Sequence, residues 1–546
     1  MKVVNTIYGK IRKHIQKLKL DEATKNYIKH NKFNFLYKSS TVSSPNVILF
    51  EFNEYHSSHI AYSYLAQVLS NKHDAKIVAY LPVLSTTWGT KITEYIFPLM
   101  YPLGYNIYRS FGMQEFITPK LNRKQLKKSK SIFATVIAGL SSKSDIENIT
   151  INKVWIGDLI YDSYLKISRK PTIDMKSKDF HETLSHSINL FVYWEDYFSN
   201  HNVKAICVSH CVYTLAIPLR IAIKNNIPAY QANISHLYRL SKEHPFAYSD
   251  FKYFNMRFLQ LPLAIQTAGL KEAERRLQRR LSGEVGVDMK YSTKSAYGVF
   301  KQHRLIKDTQ KIKVLIATHC FFDSPHSYGL NLFPDFYEWI DYLGKISERT
   351  EYDWYIKTHP DYLLGTKEVI DSFIKKYPKF NLLPADSSHH QIIEEGIDFA
   401  LTVYGTIGVE YAALDIPVIN ASLNNPHISY NFNLHPKNIE EYEKLLMHLE
   451  DIEITIDKKQ INEFYFMKNI YNTNNWLINN HDEMIDRIGG YNEQFTTKIY
   501  KLWLDEYTVS KHEKILLFLS KYIESNDFRL NHNHMDEEFR IETIRN

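Results

Sequence analysis

Cysteine is scarce in this chain of 546 residues, in which only Cys207, Cys211 and Cys320 occur. Three thiols form no disulfide framework of the kind that small secreted domains use, so the sequence predicts a reducing, cytoplasmic compartment. Cys207 and Cys211 flank His210, which would suit a redox or metal centre. Buried cysteines at the end of a strand explain this pair more simply.

Long apolar runs are also missing. The chain has no stretch of about 18 apolar residues, as a membrane-spanning helix needs, and no uninterrupted apolar core of a signal peptide. Residues 1–32 instead predict a basic amphipathic helix, in which apolar residues recur at helical spacing: Val3, Ile7, Ile11, Ile15 and Leu18. Such a helix either lies on an anionic inner-membrane surface or packs its apolar stripe on the protein, and the sequence leaves both open.

Several motifs of nucleotide and metal chemistry are absent. The sequence contains no Gly-x-Gly-x-x-Gly, no Walker loop, no His-Glu-x-x-His and no Asp-x-Asp suited to a metal-dependent transferase. These absences argue against a dehydrogenase, an NTPase and a metalloprotease. The formal net charge of +7 is modest for this length and is not spread as a stripe. We therefore expect no nucleic-acid partner and favour an anionic substrate or membrane surface.

Short β-prone runs alternate with helical patterns along most of the chain. This alternation predicts the α/β class, with parallel sheets covered by helices, and the length calls for more than one folding unit. A charged, turn-rich segment containing Arg275-Arg276 and Arg279-Arg280 marks the boundary between two such units. The predicted organisation is a helix at 1–32, α/β domains at 33–285 and 311–490 joined by a linker at 286–310, and C-terminal helices with a tail at 491–546.

Ligands of open parallel sheets bind where the strands end, so polar groups at the strand exits of the second domain are candidate ligand contacts. The predicted strand Trp354–Lys357 runs into Thr358-His359-Pro360, where the proline ends the strand. His359 could donate a hydrogen bond to a phosphate or ribose oxygen, and Lys357 could add charge. A histidine that only bonds the backbone at a strand end is the alternative.

A second exit is Tyr404-Gly405-Thr406-Ile407-Gly408. Its small residues would let backbone N–H groups approach an anion at a helix N-terminus, while Thr406 adds a hydroxyl group. Glu410 could accept from a ribose diol, and Ser388 is expected to cap a helix beside a base-binding loop. The alternative is an ordinary glycine-containing turn into a helix.

The order of these motifs resembles the capsule-polysaccharide synthesis family, which includes the Kdo transferases of capsule export systems. The matching segments are Lys357-Thr-His-Pro360 and Tyr404-Gly-Thr-Ile-Gly-Val-Glu-Tyr-Ala-Ala-Leu-Asp-Ile-Pro-Val-Ile419. They are also similar to the His-Pro and Ser/Thr motifs of bacterial sialyltransferases. The resemblance spans about residues 310–435. It implies a GT-B-like fold, in which two Rossmann-like domains face a cleft, and a glycosyltransferase without a catalytic metal or cofactor.

The resemblance further implies a CMP-activated acidic sugar of the Kdo or nonulosonic type as donor. The acceptor would be a glycan or lipid-linked glycan of a capsule or lipopolysaccharide, held by residues 33–285, with the donor held by 311–490. By motif, His359 and Pro360 would contact the CMP moiety and Thr406 its phosphate. One departure is that Gly405-Thr406 stands where the family has paired serines.

The loop Thr318–Gly329 follows the first predicted strand of the second domain. In a two-lobed transferase this loop faces the cleft, so His319, Asp323 and His326 could hold an acidic sugar or orient the leaving group. Two histidines and an aspartate also resemble metal ligands, but their spacing matches no recognised zinc pattern. We expect donor contacts and no metal.

The catalytic residue is expected in the first domain. An inverting transfer needs a carboxylate or histidine that takes the acceptor proton, and a retaining one can use a carboxylate nucleophile. The candidates are Glu54, His56, Asp158, Asp162 and His210. The related transferases carry an acidic-Gly motif with a catalytic aspartate, which Gly157-Asp158 matches only in reversed order. Alternatively, Asp158 caps a helix that begins at Leu159.

Two other functions remain open from the sequence. A CDP-glycerol-dependent glycerophosphotransferase of the teichoic-acid type would share the two-lobed architecture and a phosphate-binding C-terminal domain. A noncatalytic scaffold that binds the inner membrane through its N-terminal helix belongs to a different class. Nucleotide binding distinguishes both transferases from the scaffold.

Overall fold

The computed structural model describes residues 20–35, 44–81, 102–297, 300–359, 364–472, 476–478 and 480–535. The predicted apolar stripe from Val3 to Leu18 and the predicted donor residue Pro360 lie outside these ranges. No helix within them is long and apolar enough to cross a bilayer.

The first half of the chain alternates strands and helices. Its strands are β1 (Asn46–Glu51), β2 (Ala75–Tyr80), β3 (Met113–Ile117), β4 (Thr150–Ile151), β5 (Val154–Trp155), β6 (Asn202–Val208), β7 (Ala229–Ala232) and β8 (Leu237–Leu240). Its helices are α1 (Glu22–Asn34), α2 (His56–His73), α3 (Pro102–Ser110), α4 (Arg123–Gly139), α5 (Lys143–Glu147), α6 (Gly157–Ser168), α7 (Lys178–Asn200), α8 (Ile217–Lys224), α9 (Phe254–Leu259) and α10 (Leu263–Leu281).

The first unit is a six-stranded sheet with the order β3-β2-β1-β6-β7-β8. Its strands run parallel except β8, which pairs antiparallel with β7. Ile48 and Phe50 of β1 enter one apolar core, whereas Val47 and Leu49 enter another. Because successive side chains of a strand point to opposite faces, both faces of this sheet are covered, as is typical of parallel sheets.

The second half repeats the alternation and then becomes helical. Its strands are β9 (Lys313–Ala317), β10 (Asp353–Lys357), β11 (Phe380–Leu382), β12 (Phe399–Thr402) and β13 (Val418–Asn420). Its helices are α11 (Phe336–Arg349), α12 (Thr366–Lys376), α13 (His389–Glu394), α14 (Ile407–Ala413), α15 (Ile439–Met447), α16 (Lys458–Phe466), α17 (His481–Ile488), α18 (Lys498–Glu506), α19 (Val509–Ser525) and α20 (His532–Met535).

The second unit is a five-stranded parallel sheet with the order β11-β10-β9-β12-β13. Val314 and Ile316 of β9 pack on one face, and Leu315 packs on the other. The strand order reverses between β9 and β12, which is where doubly wound sheets open a ligand crevice. The first sheet has the corresponding reversal between β1 and β6. The prediction of an α/β, GT-B-like fold with two Rossmann-like domains facing a cleft is confirmed.

The C-terminal helices return to the first unit. Trp503 of α18 and Leu519 of α19 are buried in the same core as Ile48 of β1. Tyr500 of α18 stacks on Tyr27 of α1, with ring centroids 4.0 Å apart. Residues 476–478 and α17 (His481–Ile488), which the predicted boundaries assigned to the second domain, also contribute side chains to this first core.

Candidate functional site: a cleft at the edge of the second sheet

Two strand exits of the second unit meet at its reversal point. Nε2 of His319, two residues beyond β9, lies 3.0 Å from Oγ1 of Thr402 at the end of β12. The backbone N–H of Gly405 donates to the same Oγ1 at 3.1 Å. The predicted site loops after β9 and β12 are therefore joined by hydrogen bonds at the ligand-binding edge of the sheet.

His319 is a neutral imidazole whose orientation is fixed. Its Nε2 accepts from the backbone N–H of Val403 at 3.2 Å, so the ring proton is on Nδ1. Burial lowers the pKa of His319 to about 3. The ring also stacks on Phe336, with centroids 4.6 Å apart. The side chain can thus offer one N–H donor to a ligand oxygen at neutral pH.

The glycines of the Tyr-Gly-Thr-Ile-Gly turn serve its own packing. A Cβ on Gly405 would lie 2.7 Å from Oγ1 of Thr402, too close for that atom to stay in place. The N–H of Gly405 is engaged by that oxygen, and the N–H of Gly408 donates to the Gly405 carbonyl at 3.1 Å. These two N–H groups therefore do not form the anion cradle that the sequence predicted. Thr406, between these two glycines, lines two adjoining cavities.

A cavity of about 530 Å³ opens at this edge of the sheet and is called the smaller cavity. It brings together a set of predicted donor residues from three strand exits: His319, Lys357, His359, Gly405, Thr406 and Glu410. The rest of its wall includes residues 284–287, 289, 291–292 and 294–297, which the predictions placed at the domain boundary and in the linker. Sequence motifs that are far apart along the chain thus converge on one space.

Cations outnumber anions in the wall of the smaller cavity. The charged residues are Arg280, Lys294, Lys357 and Lys468 against Glu284 and Glu410. Burial lowers the pKa of Lys357 to about 8, and its Nζ donates to the carbonyl oxygen of Ala385 at 2.9 Å. A concave wall with an excess of positive charge attracts an anionic ligand.

Glu410 is held by two side chains from outside its own sheet. Nε of Arg280 donates to Oε1 at 2.9 Å, and the hydroxyl of Tyr297 donates to Oε2 at 2.8 Å. Burial alone would raise the pKa of Glu410, but the charge of Arg280 and these hydrogen bonds lower it below its ordinary value. The ionised carboxylate keeps lone pairs that can accept from a ligand hydroxyl, as the predicted ribose contact requires.

A larger cavity of about 860 Å³ adjoins the smaller one. Its wall includes His236 and Tyr248 of the first unit, Arg276 of α10 and Arg529 near the C-terminus. The polar residues that line both cavities are Arg280, Glu284, Tyr291, Tyr328, Thr406 and Lys468. The two cavities therefore form one continuous cleft, bounded by both units.

Asp323 and His326 do not line either cavity but join the two units. Asp323 accepts from the hydroxyl of Tyr213 at 2.5 Å and pairs with Lys166 at 3.3 Å. The two partners of Asp323 belong to the first unit. The expected common donor site of His319, Asp323 and His326 is therefore not formed.

Within the described ranges, no cluster of three His, Cys, Asp or Glu side chains is arranged to hold a metal.

His326 is buried between two carboxylates of the first unit. Its Nδ1 lies 2.5 Å from Asp162, and its Nε2 lies 2.9 Å from Glu147. Burial alone would lower the pKa of His326, but the two facing carboxylates raise it well above its usual value. A doubly protonated ring, with both N–H groups donating, fits this geometry.

Two further predicted residues are buried away from the cavities. Ser388 occupies the N-cap position of α13 without the expected capping hydrogen bond, and no described group bonds its Oγ. Asp158 lies in the first turn of α6, which begins one residue before it at Gly157. Its carboxylate is 1% exposed and pairs with Arg220 at 2.6 Å.

The other catalytic candidates lie at the reversal point of the first sheet. There the N–H and hydroxyl of Ser209 donate to Glu51 at 2.6 and 2.7 Å. Glu54 and His56 follow β1, and His210 follows β6. Glu54 is exposed, while burial lowers the pKa of His56, which favours its neutral form. Neither residue is in the wall of the two cavities.

Several cleft residues were not predicted as site residues. Arg280 belongs to the arginine cluster that was interpreted only as the boundary between the two domains. Tyr297 lies in the predicted linker. The proximity of both side chains to Glu410 was the missing information. Lys468 carried no motif signal, because it follows an ordinary helical pattern.

Fold and cleft together define a two-lobed, GT-B-like α/β protein with a positively charged crevice. No protein-family model and no curated protein matches the chain. Among solved structures, UDP-GlcNAc 2-epimerase from Neisseria meningitidis is 10% identical, with 77% of this chain and 97% of that chain covered and a TM-score of 0.22. A glycosyltransferase from Rickettsia africae is 10% identical, with 85% of this chain and 99% of that chain covered and a TM-score of 0.22. MurG from Acinetobacter baumannii is 8% identical, with 77% of this chain and 94% of that chain covered and a TM-score of 0.21. At such TM-scores these likenesses assign no ligand and no reaction.

Proposed function

We propose that this protein is a glycosyltransferase that takes a nucleotide-activated sugar in the smaller cavity. The observation that carries the proposal is the convergence of His319, Lys357, Thr406 and Glu410 at the carboxyl edge of a parallel sheet. This position is the usual ligand crevice of doubly wound folds. The excess of cations suits the phosphate of a nucleotide, and Glu410 suits a ribose diol.

We further propose a CMP-activated acidic sugar as the donor and a bacterial surface glycan as the acceptor. The support is the resemblance of the two motifs to transferases of capsule synthesis, together with the surplus positive charge. Lys357 and Lys468 remain after Arg280 is paired with Glu410 and so can meet both a phosphate and a sugar carboxylate. Attachment of the predicted apolar stripe from Val3 to Leu18 to an anionic inner-membrane surface belongs to the same proposal. Helix α1 is not included, because its Tyr27 packs on Tyr500 of the first unit.

The proton acceptor is proposed among Glu54 and His56, ahead of Asp158. The carboxylate of Asp158 is buried and already neutralised by Arg220, so it is poorly placed to take a proton from an acceptor. A neutral imidazole or an exposed carboxylate at the first sheet's edge has the chemistry of a general base.

Calorimetric titration with CMP, UDP and CDP-glycerol tests the proposal. We expect CMP to bind, and we expect Thr406→Ala and His359→Ala each to weaken binding by about 1–3 kcal/mol, the cost of a lost hydrogen bond to a charged group. Thr135→Ala, at an exposed site on α4, is the matched control and should leave binding unchanged. Binding of none of the three nucleotides would refute the transferase proposal, and turnover of CDP-glycerol would identify a glycerophosphotransferase instead.

A further inference from the structure

Lys468 stands at the junction of the two cavities. It belongs to a π-helical turn, Met467–Tyr471, that continues α16. Such turns interrupt the regular helix and often occur at functional sites. Among the lysines and arginines that the structure describes, only Arg280 and Lys468 are in the walls of both cavities. A group transferred from a ligand in one cavity to a ligand in the other must pass this junction.

The two junction cations differ in their partners. Arg280 is neutralised by Glu410, with Nη2 and Oε1 2.5 Å apart. The other arginines of the larger cavity are paired in the same way, Arg529 with Asp250 for example. Within the described residues, no carboxylate lies within ion-pair distance of Lys468, whose ammonium approaches only the ring of Phe464 at 5.7 Å. Lys468 therefore has no ion-pair partner among the described residues.

An uncompensated ammonium in such a place is costly. Burial and, to a smaller extent, the charge of the neighbouring Arg280 lower the pKa of Lys468, and Glu410 opposes both, so that the pKa is about 8. The ammonium form still predominates at neutral pH. An apolar side chain at this position, or a lysine whose ammonium is exposed to solvent, would make the folded protein more stable. An anionic ligand group would supply the missing counter-ion.

We propose that Lys468 is the anchor of an anion-binding site at the junction, and that it holds the phosphate group of the donor nucleotide next to the transferred sugar. This inference rests on the proposed function. In the transfer, the bond between the anomeric carbon and the phosphate oxygen breaks, and its electron pair remains on that oxygen. The acceptor hydroxyl oxygen bonds to the carbon and its proton passes to the general base. The Lys468 ammonium stabilises the charge that develops on the departing phosphate.

Paired titrations with cytidine and CMP isolate the phosphate contact. We expect Lys468→Met to weaken CMP binding by about tenfold or more, the range of a hydrogen bond between charged groups, and to leave cytidine binding unchanged. Lys468→Arg should retain most of the CMP affinity. The matched control is Lys459→Met, on the exposed side of α16, which should bind both ligands like the wild type.

The outcomes separate this inference from the proposed function. If wild-type protein binds CMP and Lys468→Met binds it equally well, the phosphate site is overturned. Equal losses for cytidine and CMP would also overturn it, because they would indicate a structural role. If wild-type protein binds neither ligand, the proposed CMP-linked donor fails; inorganic pyrophosphate then tests the anion site alone, and equal binding by wild type and Lys468→Met overturns it.

Discussion

A group of buried charged residues around His326 joins the two units. His326 comes from the second unit, whereas its partners Asp162 and Glu147 come from the first. Tyr161 adds a similar contact by donating to Asp335 at 2.5 Å. Removing one member of such a group leaves the others buried and unpaired, which costs more than the pair itself contributes.

We therefore expect His326→Gln to destabilise the protein by about 3–5 kcal/mol near pH 6. The folded pKa of His326 is raised above its ordinary value of about 6.5. Its contribution is thus fully present below that pH and is lost as pH rises through the raised pKa. Scanning calorimetry should show the difference between wild type and variant shrinking as the pH rises through this raised pKa. His448→Gln, at an exposed site, is the control, and a pH-independent difference would contradict the assignment.

The residues of the site were predictable to the extent that their signals were local. Lys357 and Thr406 were found because each stands where a strand ends, and a strand exit can be recognised within a few residues. Asp323 and His326 were assigned to the same donor site, although their partners lie more than a hundred residues earlier. No local pattern carries such a pairing. Lys468 was missed for the same reason.

At the scale of elements, α4 carries a charge pattern that opposes its own stability. Its N-cap is well formed, since Asn122 and Gln125 make a reciprocal capping box. Yet no acidic residue occurs in its first turn, where Arg123 and Lys124 are exposed. Cations at a helix N-terminus oppose the helix dipole, and Lys124 also repels Lys127 and Lys128 one turn later.

Reversing the charge of Lys124 should stabilise the protein. Lys124→Glu places an anion at the helix N-terminus and opposite Lys128 at the (i, i+4) spacing, for a gain of about 1 kcal/mol. Thermal unfolding at low ionic strength measures it, and Lys124→Gln should give a smaller gain. Added salt should reduce both effects by screening. A lower unfolding temperature for Lys124→Glu would contradict this account.

Elements were predictable where their apolar period was clear. The predicted strand Trp354–Lys357 matches β10 (Asp353–Lys357) because its apolar run ends at a charged exit and a proline. The helix that follows the Tyr-Gly-Thr-Ile-Gly turn begins inside that turn, at Ile407, because Thr406 already adopts helical backbone angles. Boundaries of this kind depend on backbone hydrogen bonds that the sequence does not display.

At the scale of the whole molecule, stability of the first unit depends on the last quarter of the chain. Leu519 is fully buried against the first sheet, whereas Leu517 on the same helix is 57% exposed. We expect Leu519→Ala to cost about 2–5 kcal/mol through cavity formation. Leu517→Ala should change stability by no more than about 0.5 kcal/mol.

Hydrogen exchange locates this effect within the molecule. In Leu519→Ala, amides of β1 should exchange faster, because their core has lost a side chain, while amides of β9 should keep wild-type protection. Faster exchange confined to β9 would contradict the packing. The sequence predicted two α/β units but not which unit receives the C-terminal helices, since their apolar stripes fit either sheet.

The return of α18 and α19 means that the polypeptide passes from one unit to the other twice. A second covalent link between two units restricts their relative displacement more than a single link does. The π-helical turn that holds Lys468 lies just before the second crossing, so the segment that carries this ammonium is covalently tied to both units.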